Sequence, residues 1–303
     1  MLQILTDCLD ALVIQTFRDL VEHGATSMSD SVTVIEHYGT DPLLANVNDA
    51  LAQAGLGEGP VDWQALAPLD QFHTGGLAAT KALADALGVE RGSMLLDVGS
   101  GLGGSARFLA ATYGCQVTGV DLSQPFVDVA TMLSERAGMA EQTTFLQADA
   151  LDLPFAAATF DDAWTQHVAM NIEDRVRFYG EIGRVLKPGG RLAILDIVKG
   201  DGGPIIFPAP WASTPEISHV ITAEETRAAL ATAGFTGLSW MDLTGTALAW
   251  ISEQRRARDA GAPPPPLGIQ VVMGPEFRQM VANLGQNFLE GRVQLLQAIV
   301  RRA

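Results

Sequence analysis

The sequence predicts an α/β protein, doubly wound about a mostly parallel seven-stranded sheet, and three observations carry that expectation. Short apolar runs at Met94 to Val98, Gln116 to Val120 and Thr143 to Asp149, another ending near Gln166-His167, and a fifth at Arg191 to Val198 alternate with stretches of helical spacing. That alternation is the signature of parallel strands joined by crossover helices. The first run is followed at once by a glycine-rich bend, LLDVGSGLGG from Leu95 to Gly104, where glycine lets the chain turn tightly beneath a ligand. An acidic residue, Asp121, closes the second run twenty positions beyond Gly101. At that distance such folds set a carboxylate on ribose hydroxyls.

Each element follows from its own residues. Residues 1 to 24 read as an amphipathic helix; with no basic leader, and with Asp7, Asp10, Asp19 and Glu22 at intervals, they are expected to be neither a signal peptide nor a membrane span. Met28 offers an alternative start, which makes residues 1 to 27 a candidate loosely attached segment. Val32 to Leu56 is helical in pattern with a break at His37-Tyr38-Gly39, and Glu58 to Pro68 is a Gly/Pro connection holding Trp63. The Gly75-Gly76 pair opens a helix to Leu87 that feeds the first core strand. Helices follow at Ser105 to Gly114, Gln124 to Ala137 and Glu173 to Leu186, the last stopped by Lys187-Pro188-Gly189-Gly190. Lys199 to Ser218 is irregular, with four prolines, and reads as a lid. A capped helix from Thr222 to Gly234 and strands at Leu238 to Leu243 and Gln294 to Arg301 complete the sheet. Between those two strands lie a helix through Trp250 and Arg258, a loop at Pro263 to Pro266, and a helix from Pro275 to Gly291. The expected organisation is a helical N-terminal extension and lid over 1–69 and a Rossmann-like core over 70–303, with lid insertions near 199–221 and 244–292.

Composition narrows the partners. A chain of 303 residues, 48% of them hydrophobic, can bury one large core with additions. A formal charge of −16 with only 19 Lys and Arg argues against nucleic acid and favours a cationic ligand. Cys8 and Cys115 stand far apart without His or Cys neighbours at metal-ligand spacing. They read as ordinary thiols of a reducing, cytoplasmic compartment, and no metal is expected. Oligomeric state is not readable from these patterns.

The bend implies an adenosine ligand, and its residues distinguish two kinds. Gly99, Gly101 and Gly104 satisfy the dinucleotide pattern G-x-G-x-x-G, so a nicotinamide dinucleotide stays open. Asp97, two residues before the first glycine, would repel a pyrophosphate but attract the ammonium of an amino-acid nucleoside that also carries a sulfonium. Asp149, ending the third strand, is placed for an adenine amino group; the plainer alternative is an aspartate that closes a turn.

The run DVGSGLGG, the acidic Asp121, the LKPGG turn at Leu186 to Gly190 and the long late insertion resemble the class I S-adenosylmethionine-dependent methyltransferases. FHTGGLAATKAL resembles a segment of the phosphoethanolamine N-methyltransferases, and PEFRQMVANLGQNFLEGR resembles the last helix of the sarcosine/dimethylglycine N-methyltransferases. The resemblance spans roughly residues 70 to 303 and implies S-adenosyl-L-methionine as cofactor. It assigns Asp97, Gly99 and Gly101 to the methionine part, Asp121 and Leu122 to the ribose, Asp149 and Ala150 to the adenine, Gln166 to the end of the fourth strand, and Thr74 with Gly75 to closure over the donor. Where the phosphobase enzymes carry a catalytic histidine, this chain has Asn171, with its own histidine four residues earlier at His167.

The expected reaction is methyl transfer to a small-molecule acceptor, with an amine nitrogen first and the oxygen or carbon of a phenolic, quinone-like or terpenoid compound second. A nicotinamide-dependent oxidoreductase and an inactive methyltransferase-like binding protein are the other readings. His167 is the first candidate base, on the expectation that it titrates near neutrality; its alternative is a histidine held structurally beside the donor. His73, after Phe72, is a candidate acceptor or donor contact. Phe207, Trp211 and Trp250 are candidates to line the acceptor pocket and stack on a cation, or else to pack a lid.

Overall fold

The computed structural model of the protein describes residues 42–261, 266–274 and 276–303. The readings of residues 1 to 27, of Cys8, of the helix from Val32 through the His37-Tyr38-Gly39 break, and of Pro263 to Pro265 lie outside the described residues. The elements in chain order are α1 (Leu43–Gln53), α2 (Ala67–Asp70), α3 (Gly76–Leu87), β1 (Met94–Val98), α4 (Gly104–Tyr113), β2 (Gln116–Asp121), α5 (Gln124–Arg136), β3 (Thr143–Gln147), β4 (Phe160–Gln166), α6 (Arg175–Val185), β5 (Leu186–Lys199), α7 (Ala223–Thr232), β6 (Phe235–Asp242), α8 (Thr244–Asp259), α9 (Gln270–Met273), α10 (Phe277–Leu289) and β7 (Val293–Arg302).

The strands form one seven-stranded sheet in the order β3-β2-β1-β4-β5-β7-β6. β7 runs antiparallel to both of its neighbours, β5 and β6, so the sheet is mixed. Leu95, Leu96 and Val98 are all buried, as a central strand covered on both faces requires. Successive connections lead from β1 outward through β2 to β3, and then to β4 on the other side of β1. That reversal opens a crevice beyond the carboxyl ends of β1 and β4, the place where open α/β sheets bind ligands.

Several boundaries differ from the sequence reading: β6 starts at Phe235 rather than Leu238, where Phe235 already pairs with Arg302, and β3 ends at Gln147, so Asp149 lies in the turn after it. β5 starts at Leu186 rather than Arg191, because Leu186 pairs with Phe160 before the strand bulges and re-enters register at Asp162 and Arg191. The Glu58 to Pro68 connection is not wholly irregular: Asp62 caps a 3-10 turn at Trp63–Leu66 that runs into α2. The capped helix expected from Thr222 is present, with Thr222 and Glu225 bonding reciprocally across its first turn.

α1 lies on α5 through Leu43, Val47 and Leu51 against Phe126, Val129 and Leu133, and Leu267 and Val272 at α9 join the same cluster. α1 and the α9 region of the late insertion therefore meet beside α5. The irregular stretch after β5 is tied down rather than loose. Asn287 on α10 bonds Ile206 through both ends of its amide, and Asn283 donates to the Pro208 carbonyl at 2.8 Å.

Candidate functional site

The glycine bend leaves β1 and wraps over β2. Gly99 N and Ser100 N both donate to the Val120 carbonyl, at 2.8 and 3.0 Å, and Gly101 N donates to Asp121 Oδ2 at 2.9 Å. Asp121 Oδ1 accepts from Ser123 N at 3.0 Å, so this carboxylate spans the bend and the start of α5. Gly99 has φ of +75° and lies so close to Val168 that a methyl group there would overlap that side chain. Gly99→Ala is expected to cost about 1–3 kcal/mol of stability through strain and to weaken ligand binding by pushing Val168 aside; melting curves and a ligand titration check both.

Asp97 is buried on β1, lines the crevice, and leaves Oδ2 without a hydrogen-bond partner. Burial, with the charge of Asp121 beside it, pushes its carboxyl up to about 7. Burial also raises Asp121, against the pull of the backbone N–H groups of Ser123, Gly101 and Leu122. A buried carboxylate oxygen with no partner at the mouth of a glycine bend is the group an ammonium would satisfy.

Gln166 is held by a polar cluster the sequence did not announce. Its Oε1 accepts from Ser105 Oγ at 2.7 Å and from Trp164 Nε1 at 2.8 Å. Its Nε2 is buried without a partner on the same cavity wall, so the amide presents N–H donors to whatever binds. Thr74 Oγ1 is likewise buried and unpartnered on the wall. Gly75 is not on that wall; with φ of +91° it forms the turn before α3, and Gly76 lines the cavity in its place. Leu122, Asp149 and Ala150 line the cavity as well. Asp149 also does what the plainer reading held, accepting from Leu151 N at 2.8 Å to close a turn.

The histidines are correspondingly placed but not as titrating groups. His167 sits in the left-handed region at φ of +56°, and its Nε2 is buried without a partner. Burial, and then the neighbouring His73, pushes it down to about 3, so the expectation of titration near neutrality fails. His73, whose ring centroid is 6.2 Å from that of His167, is pushed down to about 4 by burial. Its Nε2 lies 3.0 Å from the Gly76 carbonyl and 2.8 Å from Thr80 Oγ1. Thr80 spends its own proton on Gln71 Oε1 at 2.6 Å. A carbonyl only accepts, so His73 carries its proton on Nε2 and keeps the lone pair on Nδ1. No nearby pair of charges is needed for this; the chain's own acceptors select the tautomer.

Asn171 Nδ2 donates to the Trp211 carbonyl at 2.5 Å and so ties the segment after β4 to the stretch after β5. Trp211 is buried, lines the cavity, and donates through Nε1 to Ser218 Oγ at 2.9 Å. Trp250, half-buried on α8, lines the cavity too. Phe207 does not: the Asn283 and Asn287 bonds pull its segment against α10, and its ring packs on the main core.

Residues of the strand edge and of the insertion together line an open cavity of about 1860 Å³. Among the described residues no helix is long and apolar enough to cross a membrane, and no group of three or more His, Cys, Asp or Glu is placed to hold a metal.

A family model described as a methyltransferase domain matches residues 96–194. The chain is similar to O-methyltransferase rstn1 of Aspergillus nomiae, 34% identical over 170 residues, which are 55% of this chain and 75% of that protein. It spans about half the length of other curated relatives that it matches, 49% of one and 57% of another. Among solved structures it is similar to the [4+2]-cyclase SpnF, with a TM-score of 0.62 and 25% identity over 86% of this chain and 94% of that one. Geranyl diphosphate C-methyltransferase from Streptomyces coelicolor, solved with S-adenosyl-L-homocysteine, shares the fold at a TM-score of 0.64 and 20% identity, over 92% of this chain and 99% of that one.

Proposed function

Because the chain belongs to the class I S-adenosylmethionine-dependent methyltransferases, we propose that it transfers a methyl group from S-adenosylmethionine to an oxygen of a small-molecule acceptor. The observation that carries this reading is the unpartnered Oδ2 of Asp97 beside the glycine bend. The residues fit the donor. Asp97 meets its ammonium, and Gly99 and Gly101 let backbone approach closely. Asp121 and Leu122 serve the ribose, Asp149 and Ala150 the adenine, and the free amide hydrogens of Gln166 and the Thr74 hydroxyl offer further polar contacts. When bound, the donor supplies a methyl carbon already activated by a sulfonium.

The protein's share is positioning, exclusion of water and custody of one proton. Holding two reactants in line contributes on the order of 7–11 kcal/mol. A hydroxyl acceptor arrives protonated, so a base adds to this, typically about 10²- to 10⁴-fold. His73 is the better-supplied candidate: neutral, on the cavity wall, with Nδ1 as the lone-pair nitrogen and Nε2–H anchored on Gly76. His73 Nδ1 would take the proton that the acceptor oxygen gives up as its bond to the methyl carbon replaces the carbon–sulfur bond, and the imidazolium would keep its Gly76 bond. Oxygen is favoured over the amine nitrogen first read from the sequence because the similar protein is named an O-methyltransferase. His167 and Asn171 then hold the site: the first frames it from the end of β4, the second through Trp211.

Calorimetry with S-adenosylhomocysteine and with NADH tests the donor, and mass spectrometry of a metabolite extract incubated with protein and donor tests transfer by a product one methylene heavier. Binding of NADH without S-adenosylhomocysteine sinks the proposal, and donor binding without any product supports the inactive alternative. His73→Ala is expected to lower kcat about 10²- to 10⁴-fold and to leave S-adenosylhomocysteine affinity within about twofold; an unchanged kcat removes His73 from the base role.

A further inference from the structure

We infer that the outer part of the cavity is a separate acceptor chamber, built for a bulky, predominantly apolar molecule that carries no cationic centre. The inference rests on the donor reading above and extends it to the acceptor class. A cleft for one drug-sized ligand measures about 300–1,000 Å³, and this cavity holds about 1860 Å³. A donor at the top of that range leaves on the order of 900 Å³, far more than a small amino acid or phosphobase occupies.

The chamber has its own wall. Leu248, Trp250 and Ile251 on α8 face the cavity together with Phe277, Val281 and Leu284 on α10, and all six are half-buried. Leu248, Ile251 and Leu284 also pack on the main core, yet each of the six keeps part of its apolar surface uncovered on the cavity wall, which is how a site for an apolar ligand is lined. Charge points the same way. Among the described residues, the only charged side chains on the stretch of wall from Leu248 to Leu289 are Arg255 and Arg278. The carboxylates on the cavity wall, from Asp70 on α2 to Asp174 at the start of α6, all come from elements outside that stretch. Asp70 is held by Arg107, Asp149 closes its turn and Asp174 caps α6. An amine acceptor in the chamber would meet two arginines, hydrocarbon and the neutral polar side chains of Ser252, Gln254, Gln270 and Gln286, with no carboxylate among them; a bulky neutral hydroxy compound would meet matching surface.

The test uses the full chain saturated with S-adenosylhomocysteine and the neutral fluorescent probe N-phenyl-1-naphthylamine. The probe is expected to bind saturably, one to one, with enhanced emission. Val281→Asp, which sets a charge on the apolar wall, and Ala282→Trp, which fills space without adding charge, are each expected to weaken the probe about tenfold or more, with S-adenosylhomocysteine affinity within about twofold of wild type. Dimethylglycine and phosphoethanolamine are expected not to displace the probe. Displacement by either amine, or probe affinity unchanged in both variants when their melting curves are native-like, overturns the chamber. Failure of S-adenosylhomocysteine itself to bind overturns the donor reading instead, so the two failures are told apart.

Discussion

Asp97→Asn is expected to weaken S-adenosylhomocysteine binding while making the ligand-free protein more stable at pH 8. Both effects come from the same buried oxygen. In the unfolded chain this carboxyl titrates near 3.8; folded, with burial and Asp121 against it, it titrates at about 7. The folded state therefore holds the proton more tightly. The cost of ionisation is absent below pH 3.8, grows as pH rises toward 7, and is complete above it, at about 4 kcal/mol as an upper bound. Asparagine never incurs that cost. A bound ammonium reverses the balance, because it needs the ionised carboxylate, and removing one partner of a buried charged pair costs about 2–5 kcal/mol, or roughly 30-fold to several thousand-fold in affinity. For the wild type, binding below pH 7 releases a proton, so affinity rises by up to about tenfold per pH unit up to about 7 and then levels off. Calorimetry in buffers of different ionisation heat measures the released proton directly. A wild-type affinity that is flat between pH 5 and 8, or an asparagine variant that binds as well, contradicts the assignment of Asp97.

The strand edge was legible because its residue types answer backbone demands. A buried run, glycines at positive φ and a carboxylate at the end of the next strand leave few other roles, and Asp97, Gly99, Gly101, Asp121, Leu122, Asp149, Ala150 and Gln166 all lie on one cavity wall. What was not legible depends on tertiary partners. Phe207 and Trp211 are aromatic residues four positions apart, and their fates are divided by Asn283 and Asn287 on one side and Asn171 on the other. The histidines look titratable until burial is known, and only the Gly76 and Thr80 contacts reveal which nitrogen of His73 is bare. Serine at position 105 and tryptophan at position 164 carry no motif, yet they orient Gln166. The amine nitrogen expected first of the acceptor is not supported by the similar proteins, and net charge was a weak guide to it for a related reason. A net charge of −16 suggests a cationic partner, but net charge does not say which wall the carboxylates occupy. Nor does helical spacing separate apolar residues that face a core from those on α8 and α10 that face a cavity.

Asp70→Ala is expected to destabilise the protein by about 3–5 kcal/mol, the usual cost of leaving one member of a buried ion pair alone. Arg107 is wholly buried on α4, and its Nη2 donates to Asp70 Oδ2 at 2.7 Å and to the Leu102 carbonyl at 2.5 Å. Its Nη1 donates to the Ala130 carbonyl at 3.2 Å and to Ser134 Oγ at 2.9 Å. One guanidinium thus joins α2, the end of the glycine bend and α5, and Asp70 supplies its only counter-charge among the described residues. Gly104 belongs to the same arrangement, since a side chain there would come within 2.5 Å of the Asp70 carbonyl. For a chain of this size the loss corresponds to a melting point lower by about 6–20 °C. Because the bend is anchored through Leu102, donor affinity should fall with it, whereas removing one partner of an exposed, solvent-screened pair such as Lys81 with Asp85 would change little. The double variant Asp70→Leu with Arg107→Met separates charge from packing. An apolar replacement of both partners is often neutral or better, so it should recover much of the lost stability, and a double variant no more stable than Asp70→Ala would mean that the hydrogen bonds to Leu102, Ala130 and Ser134, not the missing counter-charge, hold this edge together.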